Sequence, residues 1–258
     1  MKTVVIKIGG SLAIDEAKLA EFVAAVVQIP SQDFRIVVVH GGGKDINENI
    51  ALLKEEPNFI NGLRVTTPSI MKMVEMTLSG HVNKKLVRML LEQGAKAVGI
   101  SGVDGKLFAA VKLQGEADLG QVGDIQTVNT SLVQDLLGCG WTPVVSPISF
   151  GIGCAFNVNA DTAASELAVA LAADQFILIS DVPGVMDGNK IVIPDLDKPK
   201  VEQLISDGVI TGGMIPKVRA SLESISRGLR SIHIVGWKDA NHFMKQITGE
   251  INYGTIIQ

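Results

Sequence analysis

The chain has 258 residues, 47% hydrophobic and 19% charged, with Lys plus Arg at 23 against Asp plus Glu at 27, a formal net charge of −4. So slight an acidic balance exerts no general pull on nucleic acid or an anionic membrane, and 4% aromatics leave little to stack on bases. No apolar run approaches the ~18 residues of a membrane span; no basic n-region followed by a long apolar stretch opens the chain, so no secretion signal is expected, and Cys139 and Cys154 lie outside any C-x-x-C spacing, the pattern expected of reduced thiols in a cytoplasmic protein, with a lone structural disulfide as the competing reading.

Taken in order, a first strand is expected over Thr3–Ile8, then a helix in which Leu19, Phe22, Val23 and Val26 recur at helical spacing after Asp15-Glu16. A second strand follows at Phe34–Val39. A long helical region runs from Pro68 to Gln93, striped by Met73, Met76, Leu86, Leu90 and Leu91, with further apolar residues at Ile70, Val74, Leu78 and Val87. Ala95–Ile100 reads as the next strand. Lys106–Leu113 and Val122–Val128, joined by a Gly-rich acidic loop, predict an antiparallel hairpin inserted at a sheet edge. Strands at Thr142–Ile148, Phe176–Ile179 and Ser231–Val235 complete the series, with helices at Thr162–Ala172 and from Ile215 to Leu229. The strands are near-continuous apolar runs, as when both faces are covered, and they alternate with helices. That predicts an α/β fold with an open, mainly parallel sheet and helices on both faces. A soft boundary near Ala172–Asp174 divides it into lobes 1–173 and 174–258.

Six segments carry chemistry. Lys7 sits in a strand that otherwise reads as buried, where a cation is costly unless an anion meets it. Gly9-Gly10-Ser11 then lets backbone N–H groups approach a ligand. A surface lysine ahead of a tight turn is the competing reading. No G-x-x-x-x-G-K-[ST] is present. His40-Gly41-Gly42-Gly43 repeats the arrangement after the second strand, and three successive glycines suit close approach to an anion, with a purely structural turn as the competing reading. His40 itself reads as a packing or orienting residue, since nothing nearby in sequence supplies a partner.

In Asn61-Gly62-Leu63-Arg64-Val65-Thr66 the arginine either clamps a carboxylate bidentately or forms a surface ion pair. Phe156-Asn157-Val158-Asn159-Ala160-Asp161 leads into an Ala-rich helix; Asp161 suits a helix cap, yet two asparagines in the preceding turn exceed what a cap requires. Ser180-Asp181-Val182-Pro183-Gly184-Val185 lies beyond the carboxyl end of a strand, where ligands gather in open α/β sheets. In Thr211-Gly212-Gly213-Met214-Ile215-Pro216-Lys217, Lys217 either returns toward that crevice or stays solvated. The histidines His40, His81, His233 and His242 show no metal-ligand spacing, and neither G-x-S-x-G nor a G-x-G-x-x-G after the first strand occurs.

The ordered set K-x-G-G-S, H-G-G-G, N-G-L-R-V-T, N-V-N-A-D, S-D-V-x-G and T-G-G-M-x-x-K resembles the amino acid kinase family, from Lys2 to Gly254-Thr255. The resemblance implies an αβα sandwich, with 1–173 for an acylated amino acid and dimerisation and 174–258 for ATP. It implies that Lys7 and Lys217 meet the transferred phosphoryl group and that Asp161 holds both ammonium groups. Gly9 and Gly10 would bind phosphate oxygens, while Gly42, Gly43, Arg64 and Asn157 would hold the acceptor, Arg64 by its α-carboxylate. Asp181, Val182, Pro183, Gly184, Val185 and Met186, with Val209, Ile210 and Thr211, would border the nucleotide; Pro183 removes one amide donor there.

The implied reaction is transfer from MgATP to the side-chain carboxylate of N-acetyl-L-glutamate, the second step of arginine biosynthesis, in a cytoplasmic homodimer, with Mg2+ carried by the nucleotide and no resident metal. Other acceptors (N-succinylglutamate, carrier-bound aminoadipate, aspartate) stay open, because Arg64 reads an α-carboxylate and not an acyl group. A non-catalytic amino-acid sensor would be free to lose one of Lys7, Lys217 and Asp161, and all three are present. Arginine-inhibited members carry an extra N-terminal helix; here the first strand starts at once, so little arginine inhibition is expected.

Overall fold

The computed structural model describes residues 1–258. In chain order, β1 (Lys2–Ile8) is followed by α1 (Gly10–Ile14), α2 (Glu16–Gln28), β2 (Phe34–His40) and α3 (Gly43–Ala51). The short strands β3 (Phe59–Ile60) and β4 (Leu63–Arg64) precede α4 (Pro68–Glu75), a π-helical stretch (Met76–Val82) and α5 (Asn83–Glu92). Next come β5 (Ala97–Gly102), β6 (Phe108–Lys112), β7 (Gly123–Val128), α6 (Ser131–Gly138), β8 (Thr142–Phe150), β9 (Ala155–Asn157) and α7 (Ala160–Ala170). The remainder holds β10 (Gln175–Ser180), β11 (Asp195–Leu196), α8 (Lys198–Ser206), α9 (Met214–Ser226), β12 (Ile232–Gly236), α10 (Ala240–Thr248) and β13 (Thr255–Ile257). The sheet is mixed but mostly parallel with helices on both sides, as the alternating apolar pattern predicts.

Residues 1–36 with 165–258 form one compact unit and residues 37–164 the other. In the first, the strand order is β11-β13-β12-β10-β1, parallel except where β12 meets β13. Lys7 pairs with Leu178, so the turns after β1 and β10 emerge side by side. This pairing explains why the first 36 residues join 165–258 in one compact unit, with cuts at 36/37 and 164/165. The apolar runs are buried as expected, with Val4, Val5, Ile6 and Ile8 all inaccessible in β1.

In the second unit, β8 runs parallel to β2 and β5, while β9 returns antiparallel along its end. The expected hairpin is present as antiparallel β6 and β7, which joins this sheet at Ala109–Phe150. The helical region from Pro68 starts on Thr67, whose hydroxyl caps Ile70 N–H. Its stripe differs from the expected one. Met76 and Leu91 are exposed, whereas Ile70, Val74, Leu78, Val82, Leu86 and Leu90, each four residues on, are buried. Such spacing drifts by about 40° per step on a straight α-helix. The wider π turn at Met76–Val82 takes the drift back, and its Ser79 hydroxyl pairs with that of Ser146 on β8 at 2.8 Å. Both cysteines are free and exposed, and no helix is long and apolar enough to cross a membrane.

Candidate active site

In the 37–164 unit, β2 ends in fully buried His40 and feeds Gly41–Gly43 at the start of α3. His40 Nδ1 lies 2.9 Å from the Gly41 carbonyl and Nε2 3.2 Å from Asn83 Nδ2. These bonds fit the neutral tautomer with the proton on Nδ1, and burial pushes the imidazole down to about 4. Asn83 also donates to the Val144 carbonyl at 2.9 Å, so it fastens the glycine loop to β8. His40 is therefore an orienting residue, with a partner 43 positions away that local sequence could not reveal. A Cβ at 42 would stand 2.7 Å from the Leu78 side chain of the π-helical stretch, so a larger residue there has to displace that side chain.

Arg64 lies at the far side of a tight turn in which Asn61 and Gly62 take φ of 51° and 79°. Its side chain is only 7% exposed and rests over the Phe59 ring, 4.7 Å from the centroid. Nη2 donates to Asn47 Oδ1 at 2.6 Å and to the Gly43 carbonyl at 3.4 Å. Nη1 is buried and has no protein partner. Burial lowers the guanidinium's pKa from its usual value. Asn157 donates to Thr66 Oγ1 at 3.1 Å, and Thr66 Oγ1 donates to the Arg64 carbonyl at 2.8 Å. Gly42, Gly43, Arg64 and Asn157 line one cavity of about 190 Å³, whose other walls include Ile46, Leu78, Val122 and Val158. The helix cap is Asn159, whose Oδ1 accepts from Asp161 and Thr162 N–H at 2.8 and 3.3 Å. Asp161 thus sits half-buried in the first turn of α7 without serving as its cap.

In the other unit, Lys7 is 9% exposed and runs beneath Gly9, where a Cβ would collide with its ammonium group. Gly10 adopts φ of 58°, and the Asp181 carboxylate fills the space a Cβ would take. Asp181 Oδ1 accepts from Ser11 N–H at 2.6 Å. Its carboxyl is held below the usual carboxylate range, chiefly by that amide and further by the charges of Lys7 and Lys217, against some desolvation. The sequence marks Asp181 only as a nucleotide neighbour; its tie to the first glycine turn follows from the parallel pairing of β1 and β10. Lys217 is half-buried in the first turns of α9.

Among the remaining turn residues, Gly184, Val185 and Ile210 are buried, while Pro183 and Thr211 are exposed and Val182, Met186 and Val209 are intermediate. Val185 N–H donates to Thr255 Oγ1 at 2.8 Å, and that fully buried hydroxyl donates to the Ile193 carbonyl at 2.7 Å. Nothing in the local sequence marks Thr255; only β13 lying against β12 brings it there.

The family model of the amino acid kinase family matches residues 2–236. The acetylglutamate kinase of Geobacillus stearothermophilus is 45% identical over 238 residues, covering 92% of this chain and 91% of that protein. The acetylglutamate kinase of Geobacillus thermodenitrificans (strain NG80-2) is 46% identical over 237 residues, 92% of this chain and 90% of its own. The crystal structure of smu.665 from Streptococcus mutans UA159 superposes with a TM-score of 0.78 at 28% identity, covering 99% of this chain and 98% of that one. By sequence and by fold, along nearly its whole length, the chain belongs to the amino acid kinase family.

Proposed function

We propose that this protein transfers the γ-phosphoryl group of ATP to the side-chain carboxylate of N-acetyl-L-glutamate, the second step of arginine biosynthesis. The observation that carries the reading is Arg64: a buried guanidinium oriented by Asn47 and Phe59, with Nη1 unpartnered, in a cavity bounded by the second glycine loop. An α-carboxylate supplies the missing acceptor for those N–H groups. The apolar walls at Ile46, Leu78, Val122 and Val158 suit methylene and methyl groups. The names of the two Geobacillus relatives point to the same substrate.

A side-chain carboxylate with a reference pKa near ~4.3 is already ionised at neutral pH and needs no general base. The neutral, buried His40 accordingly has an orienting task and no proton to move. What the reaction needs is alignment of two anions and neutralisation of charge on the phosphoryl oxygens. Lys7 and Lys217 are assigned that neutralisation, Asp161 the holding of their ammonium groups, and Gly9 and Gly10 the backbone donors to phosphate. Gly42, Gly43 and Asn157 are assigned to the acceptor with Arg64. The nucleotide is placed along 181–186 and 209–211. Acceptor binding then belongs to the 1–173 lobe and nucleotide binding to 174–258. A Mg2+ ion would be carried largely by phosphate and water oxygens, with Asp181 as the carboxylate beside the glycine turn. The ion would supply charge neutralisation on the phosphates.

The region 68–93, with exposed Met76 and Leu91, is assigned to a homodimer seam, and the protein to the cytoplasm. A coupled ADP-release assay over N-acetyl-L-glutamate, L-glutamate, L-aspartate and N-succinyl-L-glutamate tests the reading. The acetylated acceptor should give the highest kcat/KM; preference for any other overturns it.

A further inference from the structure

We propose that Leu63 sets the upper limit on the N-acyl group this enzyme accepts, by walling off a second cavity beside the acceptor site; the inference rests on the function proposed above. The second cavity measures about 260 Å³. Ile60, Leu113, Ala117 and Leu119 give it apolar walls, and Glu116 is the one ionisable residue lining it. Leu63 alone lines both cavities. It pairs with Ile60 across the short β3–β4 ladder and stands next in the chain to Arg64.

The chemistry of the acceptor gives this partition a consequence. The α-carboxylate and the acylated nitrogen share one carbon, so a carboxylate docked on Arg64 holds the acyl group in the same cavity, and the proposal places it against Leu63, the wall next in the chain to Arg64. An acetyl group is short enough to stop there. A longer chain has to pass Leu63. Shortening the side chain to Ala removes three carbons and joins the two spaces, and the apolar lining beyond then receives an alkyl tail. A tail that ends in a carboxylate gains nothing, because the space it enters holds Glu116 and no cation.

The test is steady-state kinetics of wild type and Leu63→Ala with N-acetyl-, N-butyryl- and N-succinyl-L-glutamate. One methylene in an apolar pocket is worth roughly tenfold or more in specificity. The kcat/KM ratio of butyryl to acetyl should therefore rise at least about tenfold in Leu63→Ala, while the succinyl-to-acetyl ratio stays within about threefold. Leu63→Val, a smaller truncation, should move a propionyl-to-acetyl ratio in the same direction, and it decides the matter if Leu63→Ala fails to fold. Unchanged ratios in folded variants, or an equal gain for the succinyl substrate, overturn the inference while leaving the proposed function intact. A wild-type protein inactive on N-acetyl-L-glutamate overturns both.

Discussion

Replacing Arg64 with Lys isolates the part played by the guanidinium fork, because the charge is kept and only the geometry is lost. In the native side chain, Nη2 is anchored on Asn47 at 2.6 Å and the plane lies 4.7 Å over Phe59, which leaves Nη1 for a ligand. A lysine ammonium cannot hold Asn47, cover Phe59 and bond a carboxylate together. A hydrogen bond between charged partners is worth about 1.5–3 kcal/mol. Loss of one such bond plus the orientation of the remainder amounts to about 2–3 kcal/mol, or roughly 30- to 150-fold in acceptor KM. Because this interaction holds the ground state and the transition state alike, kcat should fall much less. The assay is ADP release with the acceptor titrated at saturating ATP, then with ATP titrated at saturating acceptor. An acceptor KM within threefold of wild type, or equal rises in both KM values, would refute the assignment of the α-carboxylate to Arg64.

Lys7→Ala and Lys217→Ala should each lower kcat by on the order of 10²-fold or more with smaller effects on KM, and near-normal kcat in folded protein would sink their catalytic assignment. Thr255→Val removes a buried hydroxyl that accepts from Val185 and donates to Ile193, so it should cost about 1–3 kcal/mol of stability and raise the KM for ATP, with Thr255→Ser restoring both. A drop in melting temperature with no change in ATP KM would leave Thr255 a structural residue only. Burial depresses His40 and His233 from 6.5 to about 4. The unfolded chain therefore takes up protons near 6.5 while the native state stays unprotonated until about 4, and stability must fall as pH drops through that window, by up to about 3 kcal/mol per group. Urea unfolding at pH 7 and 4.5 checks this; His233→Gln should flatten the slope, and a wild-type profile already flat would contradict the buried, neutral assignment.

The sequence made the six principal strands and the inserted hairpin legible because each is a short apolar run bounded by turn residues. It could not show which strands pair. The union of 1–36 with 165–258 depends on the register of β1 against β10, a long-range fact that periodicity does not contain. The π turn left a mark that a helical wheel overlooks, namely the unbroken four-residue spacing from Ile70 to Leu90. At the site, glycines and cations stood out because their residue types are unusual in those places. Their supports did not: Asn47 under Arg64, Asn83 behind His40 and Thr255 behind Val185 are ordinary polar residues until the fold brings them to a partner. Asp161 and Asn159 show the same limit within three positions, since both suit a cap and only the backbone of α7 decides that Asn159 takes it.

The most direct test of the central claim is the identity of the product. Purified protein incubated with MgATP and N-acetyl-L-glutamate, followed by phosphorus NMR and by hydroxylamine trapping, should yield ADP and an acyl phosphate captured as the side-chain hydroxamate in equal amounts. ADP formed without hydroxamate, or hydroxamate formed only from a different acceptor, would contradict the account.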